Sequence, residues 1–174
     1  MLVGNSGWLQ RLPMPAVQAV LLGLTVLCLL LAFKVASWSR WISGLDLRSL
    51  VWLHVTRFVG FYFLLLYRRG ELPFAFAVPG GWGDNVVAAL ALLVCLWPMT
   101  DATRRRAITI WNVVGFVDIV LVVLTAARLG LEDPRQMRAL TYLPLSLLPT
   151  FLVPLILSTH ILMFLRLRRS VKSA

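Results

Sequence analysis

Hydrophobic residues follow one another in long runs that are separated by short polar or basic segments. The runs predict five helices, at about residues 15–38, 48–67, 84–99, 107–128 and 140–165. A helix rises about 1.5 Å per residue, so about twenty residues cross the roughly 30 Å hydrocarbon core of a bilayer. The pattern therefore predicts an all-α fold in which residues 1–174 form a single integral membrane domain.

The segment between the second and third predicted helices is apolar but contains helix breakers. It reads ELPFAFAVPGGWGDN and includes Pro73, Pro79 and three glycines, which disfavour a regular helix. We therefore expect an apolar loop here. Asp84 stands where the N-cap of the third helix belongs, so Glu71 and Asp84 are predicted to flank this loop on the outer side.

The composition excludes an ordinary soluble domain. Hydrophobic residues make up 60% of the chain and the mean hydropathy is +0.85, whereas soluble domains contain about 45–50% apolar residues. The net charge of +10 does not indicate nucleic-acid binding, because the basic residues lie between the apolar runs and form no basic face. The expected partners are the lipid bilayer and, on the basic side, anionic lipid headgroups.

Lysine and arginine are distributed unequally between the two predicted sides. Of the 17 residues, ten lie on one side, six lie on the other, and Arg57 lies within a span. The richer side holds Lys34, Arg40, Arg48, Arg104, Arg105, Arg106, Arg166, Arg168, Arg169 and Lys172. The poorer side holds Arg11, Arg68, Arg69, Arg128, Arg135 and Arg138. This excess predicts an N-terminus outside and a C-terminus inside.

Arg57 and Asp118 are charged residues inside predicted spans, where an unpaired charge costs about 2.5–3.5 kcal/mol. Arg57 lies nine residues from Arg48, and Asp118 lies eleven residues from Ala107. These separations correspond to depths of about 13 and 16 Å, so we expect a buried ion pair. The pair either locks two helices together or, with Asn112, lines a path for a proton or small ligand.

His54 and His160 lie at the same predicted depth on different helices. Each stands six residues from an arginine, Arg48 or Arg166, at the inner boundary, which is a depth of about 9 Å. Three hypotheses remain: separate core histidines, a proton relay, or the two axial ligands of a haem b. Asp118 is about a turn deeper, so a shared metal site is not expected.

Two further patterns, a stripe on the second predicted helix and a series of prolines in the last, lead to structural predictions. His54, Arg57 and Phe61 follow the spacing of a single helical stripe, so all three are predicted to face the interior. Pro144, Pro149 and Pro154 are spaced by five residues in the last predicted helix. They predict a bent or locally unwound segment, of the kind that forms binding sites in transporters.

No catalytic motif is recognisable. The chain contains no HExxH, GxSxG or P-loop sequence. Its two cysteines, Cys28 and Cys95, are isolated within apolar runs, as expected of core residues. The sequence therefore favours a protein that is not an enzyme and predicts no metal site.

Three segments carry a resemblance to known proteins: RRGELPFAFAVPGGWGD, WNVVGFVDIV and LPLSLLPTFLVPLILSTHIL. They resemble segments of small multi-pass bacterial membrane proteins without an assigned function. The resemblance covers about residues 50–166 and implies a location in the bacterial inner membrane. It implies no activity, cofactor or site.

Three functional hypotheses follow. The first is a multi-pass membrane protein that binds or passes a small ligand or proton at Arg57, Asp118, Asn112, His54 and His160. The second is a haem b protein or membrane anchor for electron transfer. The third is a structural or assembly subunit, which would bind membrane protein partners or form a homo-oligomer.

Overall fold

The structure, a computed structural model, describes residues 14–169. Arg11 and Lys172, which entered the charge count, lie outside the described residues. The described chain is helical and contains no strand. Its helices are α1 (Met14–Lys34), α2 (Ala36–Gly44), α3 (Leu47–Arg68), α4 (Phe74–Leu96), α5 (Asp101–Glu132) and α6 (Val153–Arg169).

Five helices of the described chain are long and apolar enough to cross a membrane. They are α1, α3, α4, α5 and α6, the last including the turn before it. The helix α4 packs between α3 and α5, α6 packs against α5, and α1 packs against α6. An all-α fold with five such helices is therefore confirmed.

The core consists of two apolar clusters separated by a polar layer. One cluster contains Phe63, Phe76 and Ile119, and the other contains Val51 and Met163. On each of α3, α4, α5 and α6 the buried polar residues stand between these clusters along the chain. They are His54, Arg57, Asp84, Asn85, Asn112, Ser158, Thr159 and His160. The buried polar groups of four helices thus occupy one level.

The helix α3 changes its winding in the middle. Residues Leu47–Leu53 and Gly60–Arg68 are α-helical, whereas His54–Val59 form a 3₁₀-helix. Three residues per turn align positions that are three apart, so His54, Arg57 and Gly60 face the same side and are buried. Phe61 is 55% exposed. The prediction that Phe61 shares their stripe is wrong because it assumed α-helical winding.

The predicted loop between the second and third spans is also wrong. The helix α4 begins at Phe74, contains Pro79 and runs without interruption to Leu96. Pro73 occupies the N-cap position, so the N-cap role predicted for Asp84 is wrong. Asp84 lies in the middle of α4 and is buried. The predicted span 84–99 therefore starts too late and ends too late.

The glycines of this segment allow neighbouring helices to approach α4 closely. A Cβ on Gly81 would lie 2.8 Å from the backbone oxygen of Gly60, and one on Gly80 would lie 3.4 Å from Val122. A Cβ on Gly83 would overlap the carboxylate of Asp118. The low helix propensity of glycine is thus offset by close packing on two sides, which a local reading of the sequence could not reveal.

The last helix begins later than the predicted residue 140. A 3₁₀-helix occupies Pro134–Thr141, and a π-helical turn, Leu148–Leu152, leads into α6. Pro149 lies in the π-helical turn and Pro154 at the start of α6. The prediction that this proline-containing segment is locally unwound is confirmed.

The first predicted span is shorter than expected. The helix α1 ends at Lys34, and the chain continues as the separate helix α2. The side chains of Trp38 and Trp41, both on α2, form an edge-to-face pair with ring centroids 5.8 Å apart. Residues 35–38, predicted as the end of the span, therefore belong to the junction and to α2.

Several arginines lie at the end of the bundle where α6 ends, and they donate to backbone carbonyl groups at the ends of helices. Arg104 donates to the oxygen of Val94 at 3.2 Å, and Arg105 donates to that of Leu167 at 2.9 Å. Arg166 donates to Leu45 at 2.6 Å, and Arg48 donates to Cys95. The last carbonyls of a helix have no intrahelical partner, so these arginines stabilise helix ends.

The contact between Gly60 and Gly81 can be tested with Gly81→Ala. The added Cβ would also lie 3.0 Å from Leu64. To relieve the contact with the oxygen of Gly60, the backbone of one of the two helices would have to shift. Overpacking of this kind costs about 1–3 kcal/mol, so the thermal midpoint in detergent should fall, as measured by circular dichroism.

The matched control is Gly23→Ala on α1, because a Cβ there meets nothing within 4 Å. It should leave the midpoint unchanged or raise it. Equal midpoints for Gly81→Ala and the parent protein would contradict the backbone contact.

Candidate functional site

Arg57 lies at the centre of the buried polar layer and binds three groups. Its Nε donates to Asp84 Oδ1 at 2.6 Å, and its Nη1 donates to the backbone oxygen of Gly115 at 2.9 Å. Its Nη2 donates to Asp118 Oδ2. The predicted pair of Arg57 and Asp118 is thereby confirmed. The second carboxylate, Asp84, was not predicted to take part. Arg57, Asp84 and Asp118 are called the triad below.

The triad contains two carboxylates for a single guanidinium. The side chains of Arg57, Asp84 and Asp118 are 0%, 5% and 21% exposed, respectively. When both carboxylates are ionised, the triad carries one negative charge in excess. An uncompensated charge that is buried away from water is costly. One proton or one monovalent cation would neutralise this excess charge.

Helix packing brings the triad together. Gly60 and Gly81 lie at the contact between α3 and α4. Arg57 precedes Gly60 by three residues, and Asp84 follows Gly81 by three residues. Because the two helices run in opposite directions, both charged side chains lie on the same side of the contact. Asp118 reaches them over Gly83, where the missing side chain leaves room.

His54 and His160 lie beside each other next to the triad. Their ring centroids are 4.3 Å apart, and both side chains are fully buried. The ring of Trp111 lies 4.8 Å from that of His54 and 5.6 Å from that of His160. Equal depth was predicted for the two histidines, and the structure places them in direct contact.

Neighbouring polar groups determine which nitrogen of each histidine carries a proton. Asn112 Nδ2 donates to the backbone oxygen of His160 at 3.2 Å, so Asn112 Oδ1, 2.7 Å from His160 Nδ1, must accept. The hydroxyl of Thr159 lies 2.9 Å from the backbone oxygen of Ile156 and donates there. It therefore accepts from His54 Nε2 at 3.1 Å.

Each neutral histidine consequently has one bare nitrogen. These atoms are His54 Nδ1 and His160 Nε2, and neither has a hydrogen-bond partner among the described residues. Buried polar atoms normally have partners, so such exceptions indicate a bound water, an ion or a functional role. The two bare nitrogens can accept a proton or a hydrogen bond.

Gly115 connects the histidines to the triad. Its backbone oxygen accepts a hydrogen bond from Arg57, and a Cβ on it would lie 3.3 Å from His160 Nε2. A Cβ on Gly115 would also lie 3.1 Å from Val87. The triad and the histidines are thus parts of one polar cluster.

Two spaces reach the triad from the end of the bundle at which α4 begins. A cavity of about 60 Å³ is lined by Arg57 and Asp84, by the polar side chains of Gln18 and Thr141, and by apolar residues. A groove of about 100 Å³ between α4 and α5 ends at Asp118. A water molecule needs about 10–15 Å³ measured in this way, so both spaces can hold several.

The carboxylate pair predicted in the outer loop does not exist. Glu71 is exposed in the turn before α4, whereas Asp84 is buried in the triad. No group of three or more potential metal ligands of the types His, Cys, Asp and Glu occurs in residues 14–169. The cysteines are free, with Cys95 buried and Cys28 partly buried.

Haem ligation by His54 and His160 stays a prediction. Axial ligands stand on opposite faces of a macrocycle, whereas these two rings are in contact with each other. The rings would have to move apart to admit a haem. An optical spectrum of protein purified from haem-replete cells tests this, because bound haem gives a Soret band.

The chain was compared with known proteins. A family model described as Domain of unknown function (DUF8737) matches residues 14–168. No curated protein and no solved structure matches.

The energetic coupling within the triad can be tested with Arg57→Met. This change leaves two buried carboxylates without their cation, which should cost about 3–5 kcal/mol. Arg128→Met is the matched control, because Arg128 and Glu132 form an exposed pair at 3.6 Å of a kind worth only about 0–1 kcal/mol.

The combined variant Arg57→Met/Asp84→Asn/Asp118→Asn removes all three charges and should recover most of the lost stability. Thermal unfolding of the four proteins in one detergent gives the comparison. Equal destabilisation by Arg57→Met and Arg128→Met would contradict a buried triad.

Proposed function

We propose that this chain, which belongs to the family Domain of unknown function (DUF8737), is a multi-pass integral membrane protein that binds and passes a proton at the triad. The observation that carries the proposal is the sharing of one buried guanidinium by two carboxylates. The proposed location is the bacterial inner membrane, with the N-terminus outside and the C-terminus inside.

The distribution of apolar and polar groups supports a membrane location. Large apolar side chains cover the outside of the helices, among them Leu22 at 57%, Leu121 at 57% and Phe151 at 63% exposure. Ionisable groups lie in the interior, as is usual when helices are surrounded by lipid. Exposed apolar surfaces of this extent are unusual in soluble monomers.

A proton is the smallest species that balances the charge of the triad. If either Asp84 or Asp118 takes up a proton, one carboxylate remains for Arg57, and the triad becomes neutral. Its release restores the excess charge, which the interior disfavours. A site that exchanges its proton with water can pass the proton on and take up another. Such repeated exchange is needed for proton transfer.

The proposed path enters at the end of the bundle at which α4 begins and leads through the triad to the two histidines, beyond which an apolar cluster begins. Water in the cavity beside Gln18 would reach Asp84 and Arg57. On the other side of Gly115, the bare nitrogens of His160 and His54 can accept a proton.

The groups that face the triad set its dependence on pH. From α3 these are Arg57 and His54, from α4 Asp84, from α5 Asp118, and from α6 His160. The part of α1 that lines the cavity contributes Gln18, which does not titrate. With neutral histidines, the triad has a formal charge of −1 at high pH and of 0 after one proton is bound.

A structural role for the polar cluster is the competing hypothesis. Arg57, Asn112 and Trp111 all donate to backbone oxygens of neighbouring helices, which would suit a subunit that only has to hold its helices in register. Such a subunit would keep every function in the combined neutral variant, provided that the variant folds.

Proton binding predicts a protonated carboxylic acid that titrates in the folded protein. Infrared difference spectra between high and low pH should show the carbonyl band of one buried acid. Asp84→Asn or Asp118→Asn should remove or shift this band, whereas Glu132→Gln on the exposed surface should leave it unchanged. Spectra without a buried acid band at any pH would contradict proton binding.

Proton transfer predicts flux in liposomes. With an imposed potassium diffusion potential and valinomycin, the protein should acidify or alkalise the lumen, as reported by an enclosed pH dye. The combined neutral variant should lose most of this flux, at least tenfold, while retaining its fold. If the flux through the combined neutral variant equals that through the parent protein, the triad is not the proton carrier. That result would favour the structural hypothesis for the triad.

A further inference from the structure

We infer that the groove between α4 and α5 binds the headgroup of an amphiphilic monovalent cation, and that this cation competes with the proton for the charge of the triad. The inference rests on the proposed proton binding and adds a class of substrate to it. The argument combines the lining of the groove, the position of Asp118 and the charge balance of the triad.

The groove leads from the surface of the bundle to a carboxylate. It lies between residues 75–80 of α4 and 118–125 of α5, and it has a volume of about 100 Å³. Its lining is apolar except for Asp118 at its inner end and Thr125. Apolar walls with one charged group select a ligand that is itself apolar with one opposite charge.

Asp118 is the member of the triad that a ligand can reach. Its side chain is 21% exposed, whereas Asp84 is 5% exposed and Arg57 is 0% exposed. Asp118 Oδ2 binds Arg57, while Asp118 Oδ1 lies over Gly83. Because Oδ1 accepts no hydrogen bond from the described residues, it can approach a second cation without loss of the ion pair.

The charge of the triad determines the charge of the ligand. One monovalent cation balances the excess charge just as one proton does. The two cannot both bind without leaving the site with a net positive charge next to Arg57. An anionic ligand would add to the excess, and a neutral one would leave it unbalanced. A cation that displaces the proton is therefore the expected occupant.

The size and surroundings of the groove indicate an amphiphile. A volume of about 100 Å³ admits a small ammonium headgroup but no bulky body. Exposed apolar residues, including Leu121 and Pro79, form the walls on the outer surface. An alkyl chain can continue from the groove along this surface, where the membrane proposal places the acyl chains.

Hexyltrimethylammonium is a suitable probe because its charge is fixed and cannot be lost as a proton. The purified protein in nanodiscs is titrated with it in weak buffer, and binding heat and proton release are recorded together. We expect saturable binding with about one proton released per cation. In the pH range where the site is protonated, the apparent Kd should rise about tenfold for each unit by which the pH is lowered. The reason is that one proton competes with one cation.

Two protein variants and one ligand provide the controls. Asp118→Asn should weaken saturable binding at least tenfold, and what remains measures partition of the amphiphile into lipid. Gly80→Leu should also weaken it by filling the groove, whereas Gly23→Leu on the open surface of α1 should not. The uncharged isostere with carbon in place of nitrogen should bind no better to the parent protein than to Asp118→Asn.

Three results would overturn the inference. These are binding no tighter than to Asp118→Asn, saturable binding without proton release, and binding unaffected by Gly80→Leu. Any of them leaves the proposed function standing if the infrared band of the buried acid is present. If that band is absent as well, proton binding fails together with the competition.

Discussion

The guanidinium of Arg57 joins three helices at one point. It reaches a carboxylate on α4, a backbone oxygen and a carboxylate on α5, and it is itself carried by α3. A buried charge of this kind depends on every partner being in place, because removal of any one leaves a charge unpaired. The positions of the three helices relative to each other are thus fixed more strictly than apolar packing alone would require.

Packing and charge support each other around this point. The backbones of α3 and α4 can approach closely because Gly60 and Gly81 meet there. The approach brings Arg57 to Asp84, and the missing side chain of Gly83 gives Asp118 the space to complete the triad. Apolar clusters lie on both sides of the layer. A single excess charge in this position is the basis of the proposed exchange with a proton or a cation.

The sequence allowed the depths of the buried polar groups to be predicted because helical rise is nearly constant. Arg57 and Asp118 were matched in this way, and so were His54 and His160. Asp84 was missed because the breakers Pro79, Gly80 and Gly81 were judged by local propensity, whereas their helix is stabilised by neighbours that the sequence does not place. Phe61 was assigned to the wrong face because no local sequence signal indicates the 3₁₀ winding of His54–Val59. Local patterns therefore predicted the helices, and contacts between helices decided the site.

The winding of His54–Val59 also sets the relation between the two halves of the polar cluster. A 3₁₀-helix advances about 120° and about 2.0 Å per residue, and an α-helix advances about 100° and about 1.5 Å. If this segment relaxed to α-helical winding, Arg57 would rotate by about 60° relative to His54 and shift by about 1.5 Å along the axis. Imidazole and guanidinium would then point in different directions. The winding of the six residues His54–Val59 thus sets the alignment of His54 with Arg57, and its relaxation over all six residues would turn the two α-helical ends of α3 by about 120° relative to each other and shorten the helix by about 3 Å.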